Sequence, residues 1–110
     1  IGAENIFFCP IPKQIWKYKS NNPRYYFARG NTYRIVNEYN KAILDYSSAI
    51  RLDSGTANYY SNRGQSYRKI GKPQVALNDF EAALALEPGN TSLFFHRGMA
   101  FYDCGLYQKA

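Results

Sequence analysis

The chain has 110 residues and a formal net charge of +6, enough for one domain and basic enough to favour acidic partners without specifying which kind. Its single histidine excludes a two-histidine metal site within the chain, and Cys9 and Cys104 lack Cys-x-x-Cys spacing, so a reduced, intracellular and cytoplasmic setting is expected. No apolar run approaches the roughly 18 residues of a membrane span and no signal-peptide pattern is visible, so no membrane association is expected.

Residues 1–22 form a segment of their own. Pro10 and Pro12 remove hydrogen-bond donors and clash with the preceding turn, which argues against a helix through them. Ile6, Phe7, Phe8, Ile11, Ile15 and Trp16 are too apolar for a free tail. Between Lys13 and Lys19 a short helix and an extended arm remain equally open. The segment is expected to cover the first helical unit as a terminal cap, with a docking strand for another protein as the alternative.

From residue 23 the pattern becomes helical. Pro23 sits in a first turn, where its missing donor does no harm. That helix is expected to run to about Val36, and its partner from Tyr39 or Asn40 to Leu52, with Asp53-Ser54-Gly55 as the stop. In residues 57–71 aromatic and small side chains recur every three or four positions, the mark of an amphipathic helix. Lys72-Pro73 interrupts, a second helix runs from Pro73 to about Leu86, and Pro88-Gly89 stops it. The next helix should start near Asn90 or Thr91, with Gly105 marking the turn after it. Asn90-Thr91-Ser92 matches the glycosylation acceptor pattern, but at a helix start Asn90 reads better as a cap.

These elements repeat with a period of 34 residues. Gly30, Gly64 and Gly98 fall in register, each preceded by an arginine (Arg29, Arg63, Arg97) and flanked by aromatics (Tyr26/Tyr60/Phe94 and Tyr33/Tyr67/Phe101). Ala42/Ala76/Ala110, Tyr46/Phe80 and Ala49/Ala83 also align. A fixed period of this length is the signature of a helical repeat array. Glycine and alanine are small where paired antiparallel helices approach closely, and the tyrosines and phenylalanines fill the space beside them. The arginines recur with Asp45 and Asp79 on the facing helices, which predicts Arg–Asp bridges, since arginine offers a carboxylate two parallel donors.

Residues 57–90 resemble the tetratricopeptide repeat at Tyr60, Gly64, Tyr67, Ala76, Phe80, Ala83 and Pro88, and depart from it at Arg63, where leucine is usual. The resemblance implies an all-α, right-handed α-solenoid. The segments are the arm (1–22), two full repeats (23–56 and 57–90) and the first half of a third (91–110). The third repeat is expected to be cut mid-helix, so the chain reads as an internal fragment of a longer protein.

The resemblance also implies a concave groove lined by the first helix of each repeat. Its groove positions are Arg24, Phe27, Asn31 and Arg34, then Asn58, Ser61, Asn62, Gln65, Arg68 and Lys69, then Ser92, Phe95, His96, Met99 and Tyr102. Asn and Gln can hydrogen-bond an extended peptide backbone, and Arg and Lys supply charge complementarity; Arg34 and Arg68 recur at the period and predict a positive stripe. One subgroup of the family clamps the C-terminal carboxylate of heat-shock chaperones with two asparagines and three basic residues. Asn31 and Asn62 match its asparagines, whereas its basic positions carry Phe27, Ser92 and His96.

Nothing in the sequence has the pattern of a catalytic site. The glycines form no phosphate-cradling loop, and His96 and Cys104 are poorly spaced for shared ligation. The expected function is a non-catalytic protein-interaction scaffold without cofactor. It would bind a protein or acidic peptide segment in the groove, or serve as a structural component of a multi-protein assembly. The alternatives are a regulatory arm of an enzyme whose catalytic domain lies elsewhere, and a nucleic-acid-binding helical repeat suggested by charge alone.

Overall fold

A computed structural model describes residues 21–109, with side chains described to Gly105; the expectations for the N-terminal arm therefore lie outside the described residues, apart from Asn21 and Asn22. Five helices follow one another: α1 (Pro23–Ile35), α2 (Tyr39–Leu52), α3 (Ala57–Lys69), α4 (Pro73–Leu86) and α5 (Thr91–Lys109). Among the described residues there is no strand, and no helix is long and apolar enough to cross a membrane.

Local chemistry fixes the helix ends. Asn22 Oδ1 accepts from the Arg24 backbone N–H at 3.0 Å, and Asn90 Oδ1 does the same for Ser92 at 3.0 Å. Both asparagines thus satisfy a donor that the first turn leaves orphaned. After α1 and α3 the chain turns through the left-handed region at Asn37 (φ 66°) and Gly71 (φ 81°), the two residue types that tolerate it. Asp53 serves where family resemblance expects a proline one residue later. Its carboxylate accepts from the Thr56 hydroxyl at 2.8 Å and from the Gly55 N–H at 3.0 Å, and these bonds hold its pKa below the usual carboxylate range.

One boundary differs from expectation. The turn assigned to Gly105 is absent, and α5 continues through it to Lys109. Gly105 aligns with Gly71, but Gly71 is followed by Pro73, which cannot continue a helix. Tyr107 stands at the corresponding place after Gly105. Without that stop, a helical glycine costs only about 1 kcal/mol relative to alanine, which the helix tolerates.

The core lies between paired helices. Ala42, Tyr46 and Ala49 on α2, and Ala76, Phe80 and Ala83 on α4, have no exposed surface. The two rings lie against the facing glycines. A Cβ at Gly30 would sit 2.9 Å from the Tyr46 ring, and one at Gly64 would sit 2.8 Å from the Phe80 ring and 3.2 Å from Asp79 Cβ. Gly98 holds the same register but meets nothing within 4 Å among the described residues. Phe94 and Phe101 stand about half-exposed, where their counterparts Tyr60 and Tyr67 pack against buried residues of the α4 side.

Successive first helices touch, α1 to α3 and α3 to α5, while α2 packs between α1 and α3 and α4 between α3 and α5. The two kinds of helix therefore form two layers of an α-solenoid. The layer whose members touch is the inner one.

Candidate functional site

The arginine beside each packing glycine is structural. Arg29 donates to both oxygens of Asp45 at 2.8 Å, and Arg63 donates to both oxygens of Asp79 at 2.9 and 2.7 Å. These are the two-donor bridges expected from the repeating pattern, and in each the bond to the aspartate holds the guanidinium pKa above its ordinary value. Arg63 also reaches back to the Ser47 hydroxyl on α2 at 3.1 Å. Arg97 reaches the corresponding position, Glu81 on α4, at 3.4 Å. The arginine column therefore ties repeat to repeat as well as helix to helix.

The inner layer carries a ladder of polar side chains. Asn62 Nδ2 donates to Asn31 Oδ1 at 2.9 Å, linking α3 to α1. One period later, Gln65 and His96 meet at 3.5 Å, linking α3 to α5. The buried Tyr46 supports the first rung: its hydroxyl donates to Asn31 Oδ1 and accepts from Arg34 Nε at 3.1 Å. Burial pushes the Tyr46 phenol pKa up, with the Arg34 bond opposing. At the second rung Phe80 replaces Tyr46, and its ring stacks on His96 at 5.7 Å.

The Asn31 amino group and the Asn62 side-chain carbonyl accordingly have no partner among the described residues. No described side-chain N or O is both buried and unpaired, so both face solvent. An extended backbone needs one acceptor and one donor of this kind.

The remaining groove candidates divide by environment. Phe27 packs its ring 5.9 Å from Tyr46 and 4.9 Å from Tyr59, so it joins the first two repeats. Ser61 is buried, whereas Arg24, Asn58, Lys69 and Phe95 are exposed. Arg68 Nε is bonded to Asp103 Oδ2 at 2.6 Å, which interrupts the positive stripe expected of Arg34 and Arg68. Two residues that reading the sequence did not place here, Tyr46 and Asp103, therefore shape the groove. The Tyr46 hydroxyl, absent at Phe80, was the available signal. Asp103 gave none, because Lys69 and Ile35 occupy its register. Among the described residues no cluster of His, Cys, Asp and Glu could hold a metal ion.

Burial, and then the Arg68 charge, lower the His96 pKa. The folded chain therefore resists protonation more than the unfolded one does. The stability this contributes is complete above the ordinary imidazole range and is lost as the pH falls from about 6.5. Denaturant melts from about pH 7.5 to about pH 5.5 should show the parent losing more stability than His96→Gln, since only the parent titrates there. Equal losses would remove His96 from the account.

A family model described as TPR repeat matches residues 30–71, and one described as tetratricopeptide repeat matches residues 57–90; together they span more than half of the chain. No curated protein matches. Among solved structures, the Arabidopsis OM64 TPR domain is 27% identical with a TM-score of 0.73, the match covering 78% of this chain and 71% of that one. The second TPR of Spaghetti (RPAP3), bound to the HSP90 peptide SRMEEVD, is 28% identical with a TM-score of 0.75, covering 80% and 82%. The second TPR domain of human RPAP3, in complex with the HSP70 peptide SGPTIEEVD, is 28% identical with a TM-score of 0.71, covering 80% and 77%. With two glycine–ring contacts, two Arg–Asp bridges and a 34-residue period behind those matches, the chain belongs to the tetratricopeptide repeat family.

Proposed function

We propose that this protein-interaction scaffold is non-catalytic and grips an extended, acidic peptide segment of its partner across α1, α3 and α5, as one piece of a multi-protein assembly. The observation that carries the reading is the ladder Asn31–Asn62 and Gln65–His96, with a solvent-facing donor on Asn31 and a solvent-facing acceptor on Asn62. The net charge of +6 favours acidic segments. The two RPAP3 domains, whose bound peptides end in EEVD, show that acidic peptides suit relatives of this fold. The chain differs from the chaperone-clamping subgroup at Phe27, Ser92 and His96, so the proposal extends to acidic peptides in general and not to that tail in particular.

A photo-crosslinking amino acid tests which surface binds. Placed at Asn58, exposed on the inner layer, it should capture the partner. Placed at Asn78, exposed on α4, it should not. Capture from position 78 alone would move the binding surface to the outer layer.

A further inference from the structure

Adjacent first helices meet twice in the array, and the two meetings are chemically opposite. Between α3 and α5, Arg68 meets Asp103 at 2.6 Å. One period earlier, between α1 and α3, the same two positions are Arg34 and Lys69. The carboxylate that neutralises the second junction is thus replaced by a cation at the first. By the repeat register the first junction carries two cationic positions where the second carries an ion pair, and like charges near one another favour an anion between them.

Arg34 is held for such a role. Its Nε donates to the buried Tyr46 hydroxyl at 3.1 Å, which fixes the plane of the guanidinium. Its two terminal nitrogens have no hydrogen-bond partner among the described residues, and none is buried without one. Lys69 is exposed. The junction lies beside the Asn31–Asn62 rung, since Tyr46 bonds both Asn31 and Arg34.

We propose that Arg34 and Lys69 form a subsite that seats a side-chain carboxylate from an internal acidic stretch of the partner peptide. This rests on the groove reading and sharpens it, because it names where the charge recognition occurs. A planar, pre-oriented guanidinium fork suits a carboxylate, and a flexible ammonium beside it adds a third contact. Residues 1–20 do not suit the subsite: they carry Lys13, Lys17 and Lys19 against Glu4 alone. A terminal carboxylate is the weaker candidate. The positions flanking the asparagine rung are occupied by Phe27, packed on Tyr46 and Tyr59, by Ser92, and by His96, stacked on Phe80.

Fluorescence anisotropy on the full chain provides the test, with three labelled probes: an end-blocked hexaglutamate peptide, the matching hexaglutamine, and SRMEEVD with a free C-terminus. Hexaglutamate should bind and hexaglutamine should not. Arg34→Ala with Lys69→Ala should weaken hexaglutamate at least about tenfold, since one solvent-exposed carboxylate then loses all its charge-assisted contacts. Lys41→Ala with Arg51→Ala removes the same charge from exposed positions on α2 and should change it less than about twofold, since exposed charges are screened over about 10 Å at 0.1 M salt. Equal weakening by both double variants would overturn the subsite in favour of a diffuse charge effect. SRMEEVD binding that is lost on amidating its C-terminus, with hexaglutamate unbound, would overturn it in favour of terminal recognition. Either result leaves the groove reading intact, which fails only if crosslinks from position 58 are absent.

Discussion

Gly64→Leu is expected to destabilise the chain by about 3 kcal/mol, at the upper end of what overpacking a filled core usually costs, while Gly98→Leu is expected to raise its stability by up to about 1 kcal/mol. The two glycines share a register and differ in what faces them. A Cβ at position 64 would lie 2.8 Å from the Phe80 ring and 3.2 Å from Asp79 Cβ. Phe80 is fully buried, and Asp79 is fastened to Arg63 by two hydrogen bonds, so neither neighbour can give way cheaply. A Cβ at position 98 would have nothing within 4 Å among the described residues, so a leucine there gains helix propensity without crowding at its Cβ. Thermal or urea melts of both variants decide the matter. Equal losses at 64 and 98 would mean that the glycine acts through its backbone, and that the close approach of α3 to α4 has been misread.

The contrast shows how far the repeat made the fold legible. A period of 34 residues, with small and aromatic side chains in fixed phase, was sufficient to place all five helices and both Arg–Asp bridges, since each rests on something that recurs. What the period could not supply is whatever breaks it. Arg68–Asp103 has no earlier copy, because Lys69 stands where Asp103 would be. The bond therefore has no counterpart to reinforce it in the sequence. Gly105 looked like a turn by register, yet the stop in the earlier copy came from Pro73 two residues on. The family resemblance implied Phe27 as groove lining, and its ring also packs on Tyr46 and Tyr59 across the repeat junction. Contacts between repeats depend on the identities of three or four side chains at once, and periodicity alone does not carry that information.

The same logic makes the Arg63–Asp79 bridge a second point of failure. Asp79→Ala should cost about 3 kcal/mol, the low end for breaking a buried ion pair by removing one partner. Asp79 has 5% of its side-chain surface exposed and Arg63 has 21%. Without the carboxylate, a guanidinium largely taken out of water loses both of its short bonds and retains the Ser47 hydroxyl at 3.1 Å. Its partial exposure lets it turn outward, which is why the low end applies. Removing the charge as well should reverse most of the loss. In Arg63→Leu with Asp79→Ala, no desolvated charge remains, and leucine is the residue usual before this glycine in the family that the chain resembles. Replacing a buried pair by apolar side chains is often neutral, whereas halving the pair is not. A double-mutant cycle read by urea denaturation should therefore find the double variant more stable than Asp79→Ala alone, a non-additivity expected only of residues in direct contact. If Asp79→Ala loses less than about 0.5 kcal/mol, within the range of ordinary surface substitutions, the bridge is ornamental. If the double variant is no better than the single, the cost lies in the packing of the aspartate itself and not in the orphaned arginine.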